Sequence, residues 1–207
     1  MPSRPQSRPS GFRRSTSLLA LALAGVLLAG CGSEEAAEPT QPDTQVELPL
    51  QQTADLQDAA KAAGCELTDT PSEGNGHDPE REFKASDYKT NPPTSGNHHP
   101  EWYQDGIYEP RATPNLGMLV HTLEHGRIDV QYAPDSPEET VDQLEALLAE
   151  TDGYHMLLFE NTTGMKAAVA ATAWTKSVTC PEMNDQVFDA IRTFRTTYVD
   201  KAPERVP

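Results

Sequence analysis

Arg127-Ile128-Asp129-Val130-Gln131-Tyr132 alternates strictly, and Ser136-Pro137-Glu138-Glu139 follows it after a short gap. The alternation predicts a strand with Ile128, Val130 and Tyr132 on its buried side. The second stretch reads as a helix start, with Ser136 at the N-cap, Pro137 at the first helical position and Glu139 three residues after the cap. Val141, Leu144, Leu147 and Leu148 supply that helix with an apolar face, and Asp152-Gly153 ends it.

Downstream, Tyr154 to Phe159 is a strand candidate, and Asn161-Thr162-Thr163-Gly164 turns into a second, Ala167 to Thr175, which carries Trp174. From about Asn184 to Val199, the residues Val187, Ile191, Phe194 and Tyr198 recur at helical spacing and predict a packed amphipathic helix. Upstream, Leu56, Ala59, Ala60 and Ala63 share one face of a short helix over Thr53 to Ala63, which Gly64 is placed to stop. Between that helix and the alternating strand, Glu66 to Leu116 is rich in Pro, Gly, Asn, Asp and Thr and has no sustained period. Loops of this length inside a compact domain are usually disordered or functional. The order of elements predicts an α+β fold, a mainly antiparallel sheet with packing helices and a long ordered loop before the first strand. One domain over residues 52–207 is expected.

The 207 residues hold 16 Lys and Arg against 32 Asp and Glu, a formal net charge of -16. An acidic surface repels phosphate backbones and anionic headgroups, which argues against a nucleic-acid partner and leaves cations, metal ions included, open. The early charges are basic, at Arg4, Arg8, Arg13 and Arg14, and an apolar run from Leu18 to Leu28 follows that is too short for a transmembrane helix. Leu28-Ala29-Gly30-Cys31 resembles the bacterial lipobox, in which small residues precede an acylated Cys. That resemblance implies a signal peptide over residues 1–30, lipidation at Cys31 and a protein anchored to the extracytoplasmic face of the cell membrane. Residues 31–51, Glu-, Pro-, Thr- and Gln-rich, then read as an acidic, disordered tether. Cys65 and Cys180 remain, and outside the reducing cytoplasm they are expected to pair. Two free thiols or a thiolate metal site are the alternatives.

Five of the six histidines, His77, His98, His99, His121 and His125, lie in or beside the long loop. Asn91-Pro92-Pro93-Thr94-Ser95-Gly96-Asn97-His98-His99-Pro100 is a stiffened turn that presents its histidines at a defined place. His121 and His125 share a face if His121-Thr122-Leu123-Glu124-His125 is helical, and a tight strand connection would also bring them together. Neutral imidazoles suit copper and zinc. His77, His98, His121 and His125 are therefore the candidate ligands, with Glu124, His99 and Met118 as supporting or additional ones. His155 and Met156 read as structural.

Lys89 to Pro100, Val120-His121-Thr122-Leu123-Glu124-His125-Gly126 and Ala171-Thr172-Ala173-Trp174 together resemble the DUF3105 family over roughly Ala62 to Val199. The resemblance implies an exported or membrane-tethered protein of a kind found largely in actinobacteria, with no established activity. The family's histidine after PPTSG falls on His98, the two of H-x-LEHG on His121 and His125, and an earlier loop histidine on His77. His99 stands where many members carry an aromatic residue, which makes it the weaker ligand candidate.

The leading expectation is a metal-binding, buffering or delivery lipoprotein that meets a metal donor or acceptor protein. Its competitor is a non-catalytic envelope interaction module whose histidines only organise the loop. A zinc-dependent hydrolase is a third reading, because His121-x-x-Glu124-His125 matches the string of inverted zinc metallopeptidases. No phosphate loop or nucleophile elbow appears, and Ser95 has only loose histidine company.

Overall fold

A computed structural model describes residues 38–40 and 46–206. The expected signal peptide, Cys31 and most of the expected tether lie outside those residues. The elements are α1 (Leu56–Ala63), β1 (Glu66–Asp69), β2 (Gly106–Ile107), α2 (Leu116–Glu124), β3 (Ile128–Tyr132), α3 (Glu138–Ala149), β4 (Met156–Glu160), β5 (Val169–Ala173), β6 (Lys176–Cys180) and α4 (Asp185–Tyr198). The six strands form one sheet in the order β1-β6-β5-β3-β4-β2. Pairing is antiparallel from β1 through β6 and β5 to β3, and parallel from β3 to β4 and from β4 to β2. This is the expected α+β fold, with a parallel margin on a mainly antiparallel sheet.

Local chemistry sets the helix boundaries. Asp55 accepts from the backbone N–H groups of Gln57 and Asp58 and starts α1, and Gly64, with φ 72°, ends it. The small side chains Ala59, Ala60 and Ala63 are buried where α1 packs on α4. Asn184 caps α4 through Gln186 N–H. The start of α3 differs from the expected one: Pro137, not Ser136, occupies the cap, and no side chain caps the helix there. Glu138 and Glu139 lie in the first turn instead, where their charge complements the helix dipole.

Three strands escape the periodic reading: β1, the two-residue β2 and β6. β1 lies inside the stretch read as loop, so the long loop follows the first strand instead of preceding it. It is a mostly exposed edge strand with no apolar alternation, and its register comes entirely from β6. β6 itself turns back from β5 at Trp174-Thr175 and pairs on both sides. At the head of β1, Cys65 is bonded to Cys180 at the end of β6, a sequence separation of 115 residues. The disulfide is thus the outcome among the alternatives open in the sequence. β3 is buried along its whole length, so Asp129 and Gln131 are as enclosed as Ile128, Val130 and Tyr132.

The core has two parts. Helices α1, α3 and α4 cover the sheet face that carries Ile128, Val130, Leu158 and Ala171. The opposite face, with Leu157 and Phe159, lies under α2 and loop aromatics including Tyr103, Tyr108 and Trp174. Within the long loop, Glu73 N–H donates to Ser95 Oγ at 3.0 Å and Gly96 N–H to the Gly74 carbonyl at 3.1 Å. His98 N–H then donates to Gly76 C=O, and Asp78 N–H to His98 C=O, both at 2.9 Å. Residues 73–78 and 95–98 therefore zip together, which is how a segment without periodicity is ordered. Of the segment read as tether, Leu48 packs against the core and Thr40 bridges to Ile107.

Candidate metal centre

The helical alternative holds for the H-x-LEHG stretch: α2 runs to Glu124, with His125 at its C-cap, and all nine of its residues are buried. Two glycines let chain segments close on this helix. A Cβ on Gly117 would lie 2.6 Å from Phe83 and 2.9 Å from the His99 backbone nitrogen. Gly126, with φ 83°, would meet Asp200 Cα at 2.9 Å. The histidine loop thus packs on one side of α2 and the C-terminal segment on another.

The loop zipper delivers two of the histidines. A parallel bridge sets His77 beside His98, with ring centroids 4.7 Å apart. α2 brings His121 to 4.6 Å from His98 and 4.7 Å from His77. The Glu124 carboxylate stands among them, its Oε2 3.0 Å from His98 Nε2 and 3.6 Å from His77 Nε2. His77, His98, His121 and Glu124 each offer a ligand atom, and these atoms all lie within 4.8 Å of one another. A tetrahedral zinc ion with bonds of about 2.0–2.1 Å sets its donors about 3.3–3.4 Å apart. The two Glu124 contacts, 3.0 and 3.6 Å, bracket that edge.

The backbone fixes which imidazole nitrogens face inward. His98 Nδ1 donates to the Gly96 carbonyl at 2.8 Å, and His121 Nδ1 donates to the Glu101 carbonyl at 3.2 Å. Both rings are thereby held in the tautomer whose Nε2 carries a lone pair. Burial keeps them neutral: desolvation lowers the His98 pKa and takes those of His121 and His125 down to about 4. Desolvation also raises Glu124, against the lowering influence of Asn75, whose amide is near but does not meet the carboxylate in hydrogen-bond geometry. Six buried side-chain polar atoms among the described residues lack a partner, and four of them belong to this neighbourhood: His98 Nε2, both Glu124 oxygens and His125 Nδ1. Buried polar atoms without partners are rare and call for an explanation.

The remaining candidates fall outside the four-residue group. His125 turns toward Glu204, with Nε2 3.3 Å from Oε2, and forms a second group with His121 and Glu204. His99 accepts from Glu101 N–H through Nδ1 and is half-buried away from Glu124. Met118 is buried in the aromatic core and Met156 in the core on the opposite face of the sheet. His155, read as structural, bonds through Nδ1 to Asp200 at 2.6 Å. Because α2 stops at Glu124 and His125 belongs to a different group, the H-x-x-E-H string does not present both imidazoles on a continuing helix as inverted metallopeptidases require.

Sequence reading missed Glu204 and Trp102. Glu204 lies in a tail without periodicity, and backbone bonds, among them its own N–H to the Glu124 carbonyl at 3.0 Å, bring it here. Trp102 packs edge-on against His121 and His125, at 5.4 and 4.5 Å, and its place beside the histidine turn was the available signal.

Residues 81–206, more than half of the chain, match the family described as "Protein of unknown function (DUF3105)". The chain belongs to that family. His98, His121, Glu124, His125 and Glu204 lie inside the matched span, and His77 lies just before it. No curated protein and no solved structure shows significant similarity to the chain.

Proposed function

We propose that this DUF3105 protein holds one divalent transition-metal ion through the Nε2 atoms of His77, His98 and His121 and the Glu124 carboxylate, and that it buffers or delivers that ion. The carrying observation is the contact between His98 Nε2 and Glu124 Oε2. With His98 Nδ1 already donating to Gly96, both facing atoms are acceptors, so a proton or a cation must lie between them. A proton satisfies one such pair, whereas an ion satisfies all four donors at once. Three imidazoles and a carboxylate, with no thiolate or thioether, favour Zn(II) or Cu(II) over Cu(I).

The setting is the outer face of the cell membrane, through a lipid on Cys31, with a metal donor or acceptor protein as partner. The basic start, the apolar run and the lipobox-like stretch support it, and so does a disulfide, which persists outside the reducing cytoplasm. The purified full chain, incubated with Zn2+ or Cu2+ and dialysed, should retain about one equivalent by elemental analysis, and His98→Ala and Glu124→Ala, while remaining folded, should hold the ion clearly more weakly. A folded wild-type chain that retains neither metal would refute the proposal. A loop-organising role for the histidines would then be left, with His98→Ala loosening residues 73–98 and no metal involved.

A further inference from the structure

We propose that His121, His125 and Glu204 form a second, outer cation position that shares His121 with the inner group, so that one ion passes between the two positions by exchanging ligands around a fixed imidazole. This rests on the proposed inner site. The ligand atoms of the three residues lie within 4.8 Å of one another, and the His121 and His125 rings are 4.3 Å apart. His121 Nδ1 is committed to the Glu101 carbonyl, so a single nitrogen is left for a cation and the two positions exclude each other. His125 is itself buried, and its Nδ1 finds no partner.

Of the five remaining ligands of the two groups, His98, Glu124 and His125 are buried, whereas His77 of the inner group has a side chain 39% exposed. The Glu204 side chain is 45% exposed. The C-terminal segment is pinned to the end of α2 by Asp200 N–H to the Gly126 carbonyl, 2.9 Å, and by Glu204 N–H to the Glu124 carbonyl, 3.0 Å. It therefore holds its one carboxylate ligand where an ion can be taken from or given to a partner. The outer position has three ligands against four, and His125 lines a cleft of ≈ 440 Å³ that also carries Lys201 and Arg205. Fewer donors and nearby cations make it the weaker of the two, as a transfer position requires.

The test uses the full chain and Cu2+ alone, with equilibrium dialysis for stoichiometry, electron paramagnetic resonance for the ligand set and circular dichroism as the folding check. Wild type should bind one ion. His77→Ala combined with Glu124→Gln cripples the inner group through one half-exposed and one isosteric change, and should still bind one ion, roughly 10–100-fold more weakly and with an altered spectrum. Adding Glu204→Gln or His125→Gln to that variant should weaken it by a further factor of about ten or abolish binding. In the wild-type background, Glu204→Gln should keep the stoichiometry and slow release to a chelator. The outer position is refuted if Glu204→Gln and His125→Gln leave the crippled variant unchanged, or if wild type binds two ions together. Either result leaves the inner site standing, whereas a wild type that binds no ion removes both.

Discussion

The two faces of the sheet are buried to similar depth and built for different ends. Under α1, α3 and α4 lie Ile128, Val130, Leu144, Leu158, Ile191 and Phe194, a mainly aliphatic and aromatic layer. Under α2 and the loop, aromatics share the space with Asp129, Gln131, Thr172 and Asn161 and with the histidine cluster. Away from that cluster the polar groups answer one another: Asn161 donates to Gln131 Oε1, Gln131 to Thr172, and Thr122 lies 2.9 Å from Asp129. At the cluster they do not. One face supplies stability by excluding water, and the other places unanswered donors and acceptors where a cation would answer them.

The largest expected effect lies on the apolar face. Replacing Cys65 and Cys180 by Ser opens a loop of 115 residues' separation and should cost about 4–5 kcal/mol in denaturant unfolding, near the upper end for a disulfide. Phe194→Ala, deep in the same layer, should cost about 3–5 kcal/mol. If either loss were below about 1 kcal/mol, the division of labour between the faces would be wrong.

On the polar face the expected signature is a pH dependence. His121 and His125 ordinarily titrate near 6.5 and are driven down to about 4 by burial, so between those values the unfolded chain takes up protons that the folded chain refuses. Metal-free protein should therefore lose stability as pH falls from 6.5 to 4, and His121→Gln with His125→Gln should flatten that slope. Glu124, whose pKa is raised, works in the opposite sense: its contribution is present below its ordinary value and is lost as pH rises. A chelator-treated wild type with a flat profile over that window would break the contrast.

A smaller effect is expected from Glu124→Gln at neutral pH. Without metal, replacing this buried carboxylate by an amide that can donate to His98 Nε2 should leave stability within about 1 kcal/mol of wild type or raise it. Added Zn2+ should stabilise wild type, by about 2.7 kcal/mol at one hundred times its dissociation constant, and the variant by clearly less, since only the weaker outer position is left intact. Smallest of all, Arg81→Ala breaks the exposed pair with Asp87 and should change stability by less than about 0.5 kcal/mol.

Legibility in the sequence followed the range of the interactions. α4, α1 and β3 were readable because apolar spacing and caps such as Asn184 and Asp55 act within a turn or two. Glu66-Leu67-Thr68-Asp69 has no such signal, since an exposed edge strand is specified by a partner more than a hundred residues away. Lys176 to Cys180 likewise takes its strand form from β1 and β5 on either side. Asp129 and Gln131 read as the open side of a strand and are covered by α2 and its neighbours. At the site, the identity of His98, His121 and Glu124 was legible, but the separation of His125 from the four-residue group was not.

Composition and local spacing by themselves determined the α+β class, the two cysteines available to pair and a supply of imidazoles concentrated around one loop. Only the tertiary structure decided that His77 stands beside His98, that the Glu124 carboxylate lies between them, and that Glu204 returns to His125. Those placements depend on backbone hydrogen bonds such as His98 N–H to Gly76 and Glu204 N–H to Glu124. Every non-proline residue carries the same N–H and C=O, so such bonds leave no mark on the sequence that forms them.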